Sequence, residues 1–189
     1  MNLCPAGYYR SLLGAGRIED CAVCPTGHYC PDQTMDPFIC PIGYYCTIGI
    51  QFAVPCPIGS FGASQGLREE TECTKCFAGR YCSQKGLHEP DGLCDPGFYC
   101  IEGAFTASPI DGVTGKVCPQ GHYCPMGSKY PKNSPAGTYN PSTEKSNYTD
   151  CKNCTAGYYC AGSTELSPSG LTGKCKDGYY CTGASKIPN

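Results

Sequence analysis

The chain is poor in the side chains that build an ordinary hydrophobic core. Leucine, isoleucine, valine and phenylalanine together supply 27 of its 189 residues, and tryptophan is absent. A chain with so few apolar residues is normally disordered unless cross-links replace burial. Nineteen cysteines are present and the net charge is only −2. The composition therefore excludes one continuous core and predicts small modules that disulfides hold together.

Long apolar runs and basic clusters are also missing. No run approaches the roughly eighteen residues of a membrane helix, so no membrane span is predicted in this segment. The near-neutral charge gives no reason to expect binding to nucleic acid. The cysteine density requires an oxidising compartment, which predicts a secreted or cell-surface protein. Met1-Asn2-Leu3-Cys4 enters the cysteine pattern without a signal peptide, so we expect a removed signal or a segment of a longer chain.

What the sequence does have is a seven-residue repeat, of which Cys40-Pro41-Ile42-Gly43-Tyr44-Tyr45-Cys46 is the clearest copy. The glycine is present in all ten copies, which predicts a turn through positive φ. The aromatic residue two positions later can lie over this turn and cover the sulfur atoms. The copies, repeats 1 to 10, begin at Cys4, Cys24, Cys40, Cys56, Cys76, Cys94, Cys118, Ser134, Cys154 and Cys175.

The repeats are of two kinds. In seven short repeats a second cysteine follows six positions after the first. In three long repeats that cysteine is replaced, by Arg10, Gly62 or Asn140, and the next one comes seventeen positions after the start, behind an acidic or polar tail. The order of long and short repeats divides the chain into superrepeats 1–55, 56–133 and 134–189, the last expected to continue.

The predicted fold class is a tandem array of small disulfide-rich modules, elongated and mostly irregular, with short β-hairpins and almost no helix. Glycine-, proline- and serine-rich stretches separate the repeats and predict turns, because no apolar period of 3.6 residues lasts more than one turn. The best candidate for a brief helical turn is the stretch 10–20, which Gly14 and Gly16 weaken. Such an array is a solenoid in which each module contacts mainly its neighbours.

Two disulfide schemes fit the spacing. The favoured scheme closes every repeat on itself and leaves Cys151 unpaired or intermolecular, because Ser134 stands at its counterpart position. Its pairs are Cys4–Cys21, Cys24–Cys30, Cys40–Cys46, Cys56–Cys73, Cys76–Cys82, Cys94–Cys100, Cys118–Cys124, Cys154–Cys160 and Cys175–Cys181. The rival scheme joins the end of one repeat to the start of the next, as in Cys30–Cys40, and leaves Cys124 without a partner. Connectivity cannot be deduced from sequence alone, and the state of Cys151 decides.

Three Cys-x-x-Cys steps invite a zinc or redox interpretation. Zinc needs two such pairs, or one pair and histidine, close in sequence, whereas these steps recur 52 and 78 residues apart. A redox centre needs a helix beside a βαβ core, which this sequence cannot form. The steps are Cys21/Cys24, Cys73/Cys76 and Cys151/Cys154. We therefore expect no metal site and no cofactor.

The remaining chemical groups predict no catalysis. His28 and His122 occupy a variable position of the repeat that also holds Tyr, Ser, Arg or Thr, and neither these nor His88 has a recurring partner for general-base work. The sequence has no Asp-x-Asp pattern of the kind that binds calcium, so it gives no support for a calcium site. We expect that the protein is not an enzyme. Two sequons predict a glycoprotein, with candidate glycans on Asn147 and Asn153 in the third long repeat.

The long repeat, for example Cys56-Pro57-Ile58-Gly59-Ser60-Phe61 through Cys73-Thr74-Lys75-Cys76, resembles the ephrin-receptor-like cysteine-rich repeats. That family is related to the cysteine-rich modules of tumour-necrosis-factor receptors. The resemblance implies the pairs Cys4–Cys21 and Cys56–Cys73. The short repeats depart from the family and are similar to very large repeat proteins of protist cell surfaces.

Two functions fit these features. The first is an extracellular structural protein that forms a disulfide-stapled rod, filament, surface appendage or coat, with fifteen tyrosines available for self-association. Other surface proteins are further candidate partners. The alternative is the stalk or ligand-binding ectodomain of a cell-surface receptor or adhesin. Because such repeats serve many purposes, the resemblance alone does not decide between them.

Overall fold

The computed structural model describes residues 4–10, 17–162 and 173–187. The fold is a series of eight two-stranded antiparallel sheets, and no α-helix occurs in the described part of the chain. The pairs of strands are β1 (Tyr8–Tyr9) with β2 (Ala22–Val23), β3 (His28–Tyr29) with β4 (Phe38–Ile39), β5 (Tyr44–Tyr45) with β6 (Val54–Pro55), β7 (Ser60–Phe61) with β8 (Thr74–Lys75), β9 (Arg80–Tyr81) with β10 (Gly92–Leu93), β11 (Phe98–Cys100) with β12 (Gly115–Val117), β13 (His122–Tyr123) with β14 (Lys132–Asn133), and β15 (Thr138–Tyr139) with β16 (Lys152–Asn153). The predicted fold class, disulfide-rich β-hairpin modules with almost no helix, is confirmed.

Each sheet connects one repeat to the next. Its first strand follows the repeat glycine, and its second strand ends just before the first cysteine position of the following repeat. In the first sheet, for example, Tyr8 lies opposite Val23 and Tyr9 opposite Ala22. The chain thus reverses direction once per repeat, which brings consecutive repeats side by side.

The three long repeats each contain one turn of 3-10 helix before their last cysteine. These turns are Ile18–Asp20, Glu70–Glu72 and Tyr148–Asp150. A carboxylate at the end of each turn accepts a main-chain hydrogen bond from its start, as when Asp20 Oδ2 accepts from Arg17 N at 2.9 Å. The acidic or polar tail of the long repeats therefore has a local structural role. The helical turn predicted within 10–20 is present at its end, and residues 11–16 lie outside the described residues.

The chain divides into two compact units. The first consists of the described residues of Met1–Phe77 and Cys82–Asp91, and the second of those of Ala78–Tyr81 and Gly92–Asn189. The superrepeat boundaries proposed from the sequence stay a prediction.

Inside each unit, consecutive repeats are joined by main-chain hydrogen bonds at the repeat glycine. Gly27 N donates to Cys46 O at 2.8 Å, and Gly27 O accepts from Cys40 N at 2.8 Å. The glycine of one repeat thus binds both cysteine positions of the next. The same two bonds recur at four junctions in the first unit and five in the second, with lengths of 2.8–3.2 Å. Because these bonds use only the main chain, they do not depend on which side chains vary between repeats.

A second pair of main-chain bonds comes from the turn that follows each second cysteine position. Gly49 N donates to Cys24 O at 2.8 Å, and Ile50 O accepts from Cys30 N at 3.0 Å. This pair is present at all four junctions of the first unit, and in the second unit it recurs at the junctions that begin with Cys94, Cys118 and Cys154. A complete junction therefore contains four bonds, and we refer to it as the four-bond junction.

Six of the repeat glycines also lie against the turn two repeats further along, namely Gly7, Gly27, Gly43, Gly79, Gly97 and Gly137. All ten have φ between +77° and +90°, as predicted. A Cβ atom built on Gly27 would lie within 3.0 Å of Gly66 O, and one on Gly43 within 3.0 Å of Gly86 O. Such distances are shorter than any real Cβ contact. Glycine is therefore required at these places both by its backbone conformation and by the close approach of another turn.

The core consists mainly of disulfides. Most of the bonded cysteines are fully or almost fully buried. Aromatic side chains of the preceding repeat pack on two of these disulfides: Phe61 packs with Cys76 and Cys82, and Tyr81 packs against Cys94 and Cys100, where Phe98 of the same repeat also packs. In these two places one repeat completes the small core of the next.

Candidate functional site

The structure contains nine disulfides, each closed within one repeat. Their Cα–Cα distances are 5.7–6.0 Å, which lies in the usual range. The pairs are Cys4–Cys21, Cys24–Cys30, Cys40–Cys46, Cys56–Cys73, Cys76–Cys82, Cys94–Cys100, Cys118–Cys124, Cys154–Cys160 and Cys175–Cys181. The two cysteines of each Cys-x-x-Cys step are thus not bonded to each other. Each belongs to a different disulfide, except Cys151, which is a free thiol of intermediate exposure.

Repeat 8 replaces its disulfide with polar contacts. Cys151 Sγ donates to Ser134 Oγ at 3.3 Å, and Ser134 Oγ donates to Gly121 O at 3.0 Å. Asn140, which is 0 % exposed, donates from Nδ2 to His122 O at 2.6 Å. Its Oδ1 accepts from Ser142 N at 3.2 Å. The sequence marked these positions only as departures from the cysteine pattern, and the hydrogen bonds show what the replacements do.

The two sequons lie close together in the long repeat 8. Asn147 is exposed at the start of the 3-10 turn, where its Oδ1 accepts from Thr149 N at 3.2 Å. Asn153 is exposed in β16 and pairs with Thr138 across the sheet. The residue between Asn153 and Thr155 is Cys154, which is buried in a disulfide. Both asparagines are therefore accessible on the folded surface, but the central residue of the sequon is exposed only in the first, where it is Tyr148.

The histidines do not come together. The Nδ1 atom of His28 lies 3.3 Å from Thr26 O, and that of His122 lies 2.9 Å from Gln120 O. His88 lies 3.8 Å from the carboxylate of Glu89 on an exposed surface. No group of three or more histidine, cysteine, aspartate or glutamate side chains suited to a metal ion occurs in the described part of the chain.

One segment interrupts the regular repeats. Seventeen residues separate Cys100 from Cys118, and those from 101 to 114 form what we call the insertion loop. The loop packs on its own repeat: Ala104 and Pro109 are fully buried, and Asp95 N donates to Ala107 O at 2.8 Å. Ile101 N donates to Thr114 O at 2.9 Å and closes the base of the loop. The sequence predicted only turns here, whereas the loop has a defined structure.

The tip of the insertion loop is ordered by one carboxylate. Asp111 accepts hydrogen bonds from Val113 N at 2.9 Å, Thr114 N at 2.8 Å and Thr114 Oγ1 at 2.7 Å. These bonds favour the charged form, and the Thr114 hydroxyl is the largest of the causes that lower the pKa of Asp111 below its usual value. The Asp111 carboxylate is therefore engaged by hydrogen bonds from the loop itself.

A groove of about 800 Å³ lies beside the tip. Ile110, Val117 and Pro119 supply apolar walls, and Lys116 and Thr143 supply polar groups. The insertion loop provides one side of the groove and the following repeats provide the other. The groove is open and mostly apolar, and its charged lining residues are Lys116 and the loop's own Asp111.

Two other titratable groups have shifted pKa values. The pKa of Asp150 is lowered, chiefly because Asn147 N donates to its carboxylate at 2.9 Å. The pKa of Tyr45 is raised by partial desolvation and by the nearby charge of Glu70, to which the Tyr45 hydroxyl donates at 3.3 Å. Each of these hydrogen bonds holds the acidic segment of a long repeat against neighbouring residues, so both groups have a structural role.

Comparison with known proteins does not assign a family. No protein-family model matches the chain, and no curated protein matches it. The chain is nevertheless a cysteine-rich repeat protein by its structure, because nine disulfides brace tandem β-hairpin modules. Such a disulfide content is typical of secreted or extracellular proteins. None of the helical segments among the described residues has the length and apolar character needed to cross a bilayer.

Proposed function

We propose that the chain is a segment of an extracellular structural protein whose tandem repeats form a disulfide-stapled rod or filament. The observation that carries this proposal is the four-bond junction. Within each unit it joins consecutive repeats through main-chain groups, and six of the repeat glycines contact turns two repeats along. Because the glycine bonds recur at all nine junctions and the full set of four bonds at seven of them, stiffness adds up along an array of such repeats.

The disulfides support a mechanical role. In nine of the ten repeats a disulfide holds the Gly-containing turn at the geometry that the next repeat binds, as Cys40–Cys46 does around Gly43. Since few apolar side chains contribute to the core, the cystines supply the stability that a larger domain would obtain from burial. Such a protein keeps its form in the oxidising space outside the cell.

We further propose that the repeats are of the ephrin-receptor-like class and that the protein carries N-linked glycans. The support for the first is that two of the three long repeats are closed by a disulfide over seventeen positions, Cys4–Cys21 and Cys56–Cys73. The support for the second is the exposure of Asn147 and Asn153. A glycan on Asn147 would project from the 3-10 turn without displacing a buried group.

Negative-stain electron microscopy of the secreted, oxidised protein tests the proposed role. We expect extended particles of uniform width that associate into longer fibres as concentration rises, and loss of this form after reduction. Compact round particles would overturn the proposal. Extended particles that never associate would favour a receptor or adhesin stalk instead.

A further inference from the structure

The insertion loop exposes two apolar side chains on a rigid support. Ile110 is 83 % exposed and Val113 is 73 % exposed, which is more than any other large apolar residue among the described residues except Tyr180. The three hydrogen bonds to Asp111 hold the main chain between them. A surface whose shape is fixed before binding loses little conformational entropy when a partner covers it.

The groove beside this tip is lined by one cation, Lys116, and one carboxylate, Asp111. The Asp111 carboxylate accepts hydrogen bonds from the loop itself. Lys116 forms no ion pair with any carboxylate in the described part of the chain. Lys116 therefore remains available to a carboxylate from another molecule.

The chain itself presents a segment of complementary chemistry. Ile18 is 65 % exposed in the first 3-10 turn and is followed directly by exposed Glu19. The carboxylate of Asp20 is used inside the turn, where it accepts from Arg17 N. The turn thus offers one apolar side chain and one carboxylate at adjacent positions on a short, ordered support.

We propose that the groove binds the Ile18–Asp20 turn of a second copy of this chain, with Ile18 against the apolar wall at Ile110 and Glu19 beside Lys116. This contact rests on the proposed function, because it names the surfaces through which copies associate. It uses different surfaces on the two copies, so it repeats from copy to copy and generates an open chain unless the rotation closes a ring. The net charge of −2 leaves little overall repulsion between copies.

Sedimentation equilibrium of the full oxidised chain over a range of concentrations tests this contact. Lys116→Glu and Glu19→Lys should each weaken association about fivefold or more, because each places like charges together. The double variant, which exchanges the two charges, should restore most of the loss. Ile110→Ser should weaken association about tenfold or more by removing an apolar contact. Lys132→Glu and Asp36→Lys are matched charge changes away from the contact and should leave association unchanged.

The outcomes separate this contact from the proposed function. Loss in both single variants with recovery in the double variant supports the contact. Loss without recovery, unchanged association in all variants, or a wild-type protein that stays monomeric overturns it. Electron microscopy of the same samples reports on the rod form independently, so extended particles alongside unchanged association would overturn the contact and leave the proposed function intact. Non-reducing mass spectrometry of each variant checks that all nine disulfides have formed.

Discussion

Ser134 and Cys151 face each other in repeat 8, with Oγ and Sγ 3.3 Å apart, at the positions that form disulfides in the other two long repeats. Ser134→Cys should therefore create a tenth disulfide. A bond closing a loop of this length stabilises a protein by about 2–4 kcal/mol. The measurement is the free-thiol content of the native protein, expected to fall from one to zero, together with a higher unfolding midpoint.

The matched control for this variant is Ser134→Cys combined with Cys151→Ser, which carries one thiol and no new bond. It should unfold at about the wild-type midpoint. Alkylation of the native wild-type protein followed by peptide mapping should label Cys151 alone. Label on Cys124, or two persistent thiols in Ser134→Cys, would contradict the pairing within repeats.

The buried side chain of Asn140 gives a second prediction. Asn140→Ala leaves His122 O and Ser142 N without their partner in a partly buried place. Unpaired buried polar groups cost about 1–3 kcal/mol each. The variant should be destabilised by about that amount in guanidinium unfolding followed by near-ultraviolet circular dichroism. Asn133→Ala, at an exposed strand position, should have an effect below about 0.5 kcal/mol, and equal effects for the two variants would contradict the role of Asn140.

Gly43 and Gly157 have nearly the same backbone conformation, so alanine substitutions there distinguish the cost of the left-handed conformation from the cost of a steric clash. Gly43 and Gly157 have φ of +84° and +86°, but a Cβ would clash with Gly86 O only at Gly43, and at Gly157 it would meet nothing within 4 Å. Gly157→Ala should cost about 1–2 kcal/mol from its left-handed conformation. Gly43→Ala should cost more, roughly 2–4 kcal/mol, because the turn must move as well. Unfolding midpoints of the two variants measure this difference, and a larger loss for Gly157→Ala would contradict the packing of alternate repeats.

Much of this fold follows from the sequence, because disulfide spacing and the repeat glycine are local features. The four-bond junction does not, since its bonds use the main chain and leave no residue pattern. Its turn residue is glycine at Gly49 and Gly66 but Gln33, Glu144 or Ala184 in other repeats, all with positive φ. The position of Phe61 on the next repeat's disulfide also escaped prediction, because a side chain two residues after the repeat glycine can reach its own disulfide or that of a neighbouring repeat.

The sequence indicates less about the groove of the proposed contact than about the fold. The insertion loop contains no charge run and no motif, and its order depends on Asp111 binding groups that lie two and three residues later. A hydrogen bond from an aspartate to residues two and three positions later can form in many loops of the same composition, so the sequence does not predict this one. Only the structure shows that it leaves Ile110 and Val113 exposed beside a groove.

The carboxylate of Asp111 gives a prediction on pH. Its pKa is lowered by hydrogen bonds that exist only in the folded loop. Its contribution to loop stability should therefore be fully present above the ordinary aspartate pKa of about 4, and should be lost as the pH falls through the lowered value. Thr114→Val removes the largest cause and should move the titration midpoint of Asp111, measured by nuclear magnetic resonance, upward. Thr143→Val should leave it unchanged, and an identical midpoint in wild type and Thr114→Val would contradict the assigned cause.

The central claim is that disulfides closed within nine of the ten repeats, with main-chain junctions between repeats, hold this fold in place of an apolar core. The most direct measurement is the amide spectrum of the native protein by nuclear magnetic resonance before and after complete reduction at constant pH and temperature. The account predicts that the dispersed resonances of the repeat glycines, among them Gly27 and Gly43, collapse to random-coil positions and lose their protection from hydrogen exchange. Unchanged resonances and protection in the fully reduced protein would contradict it.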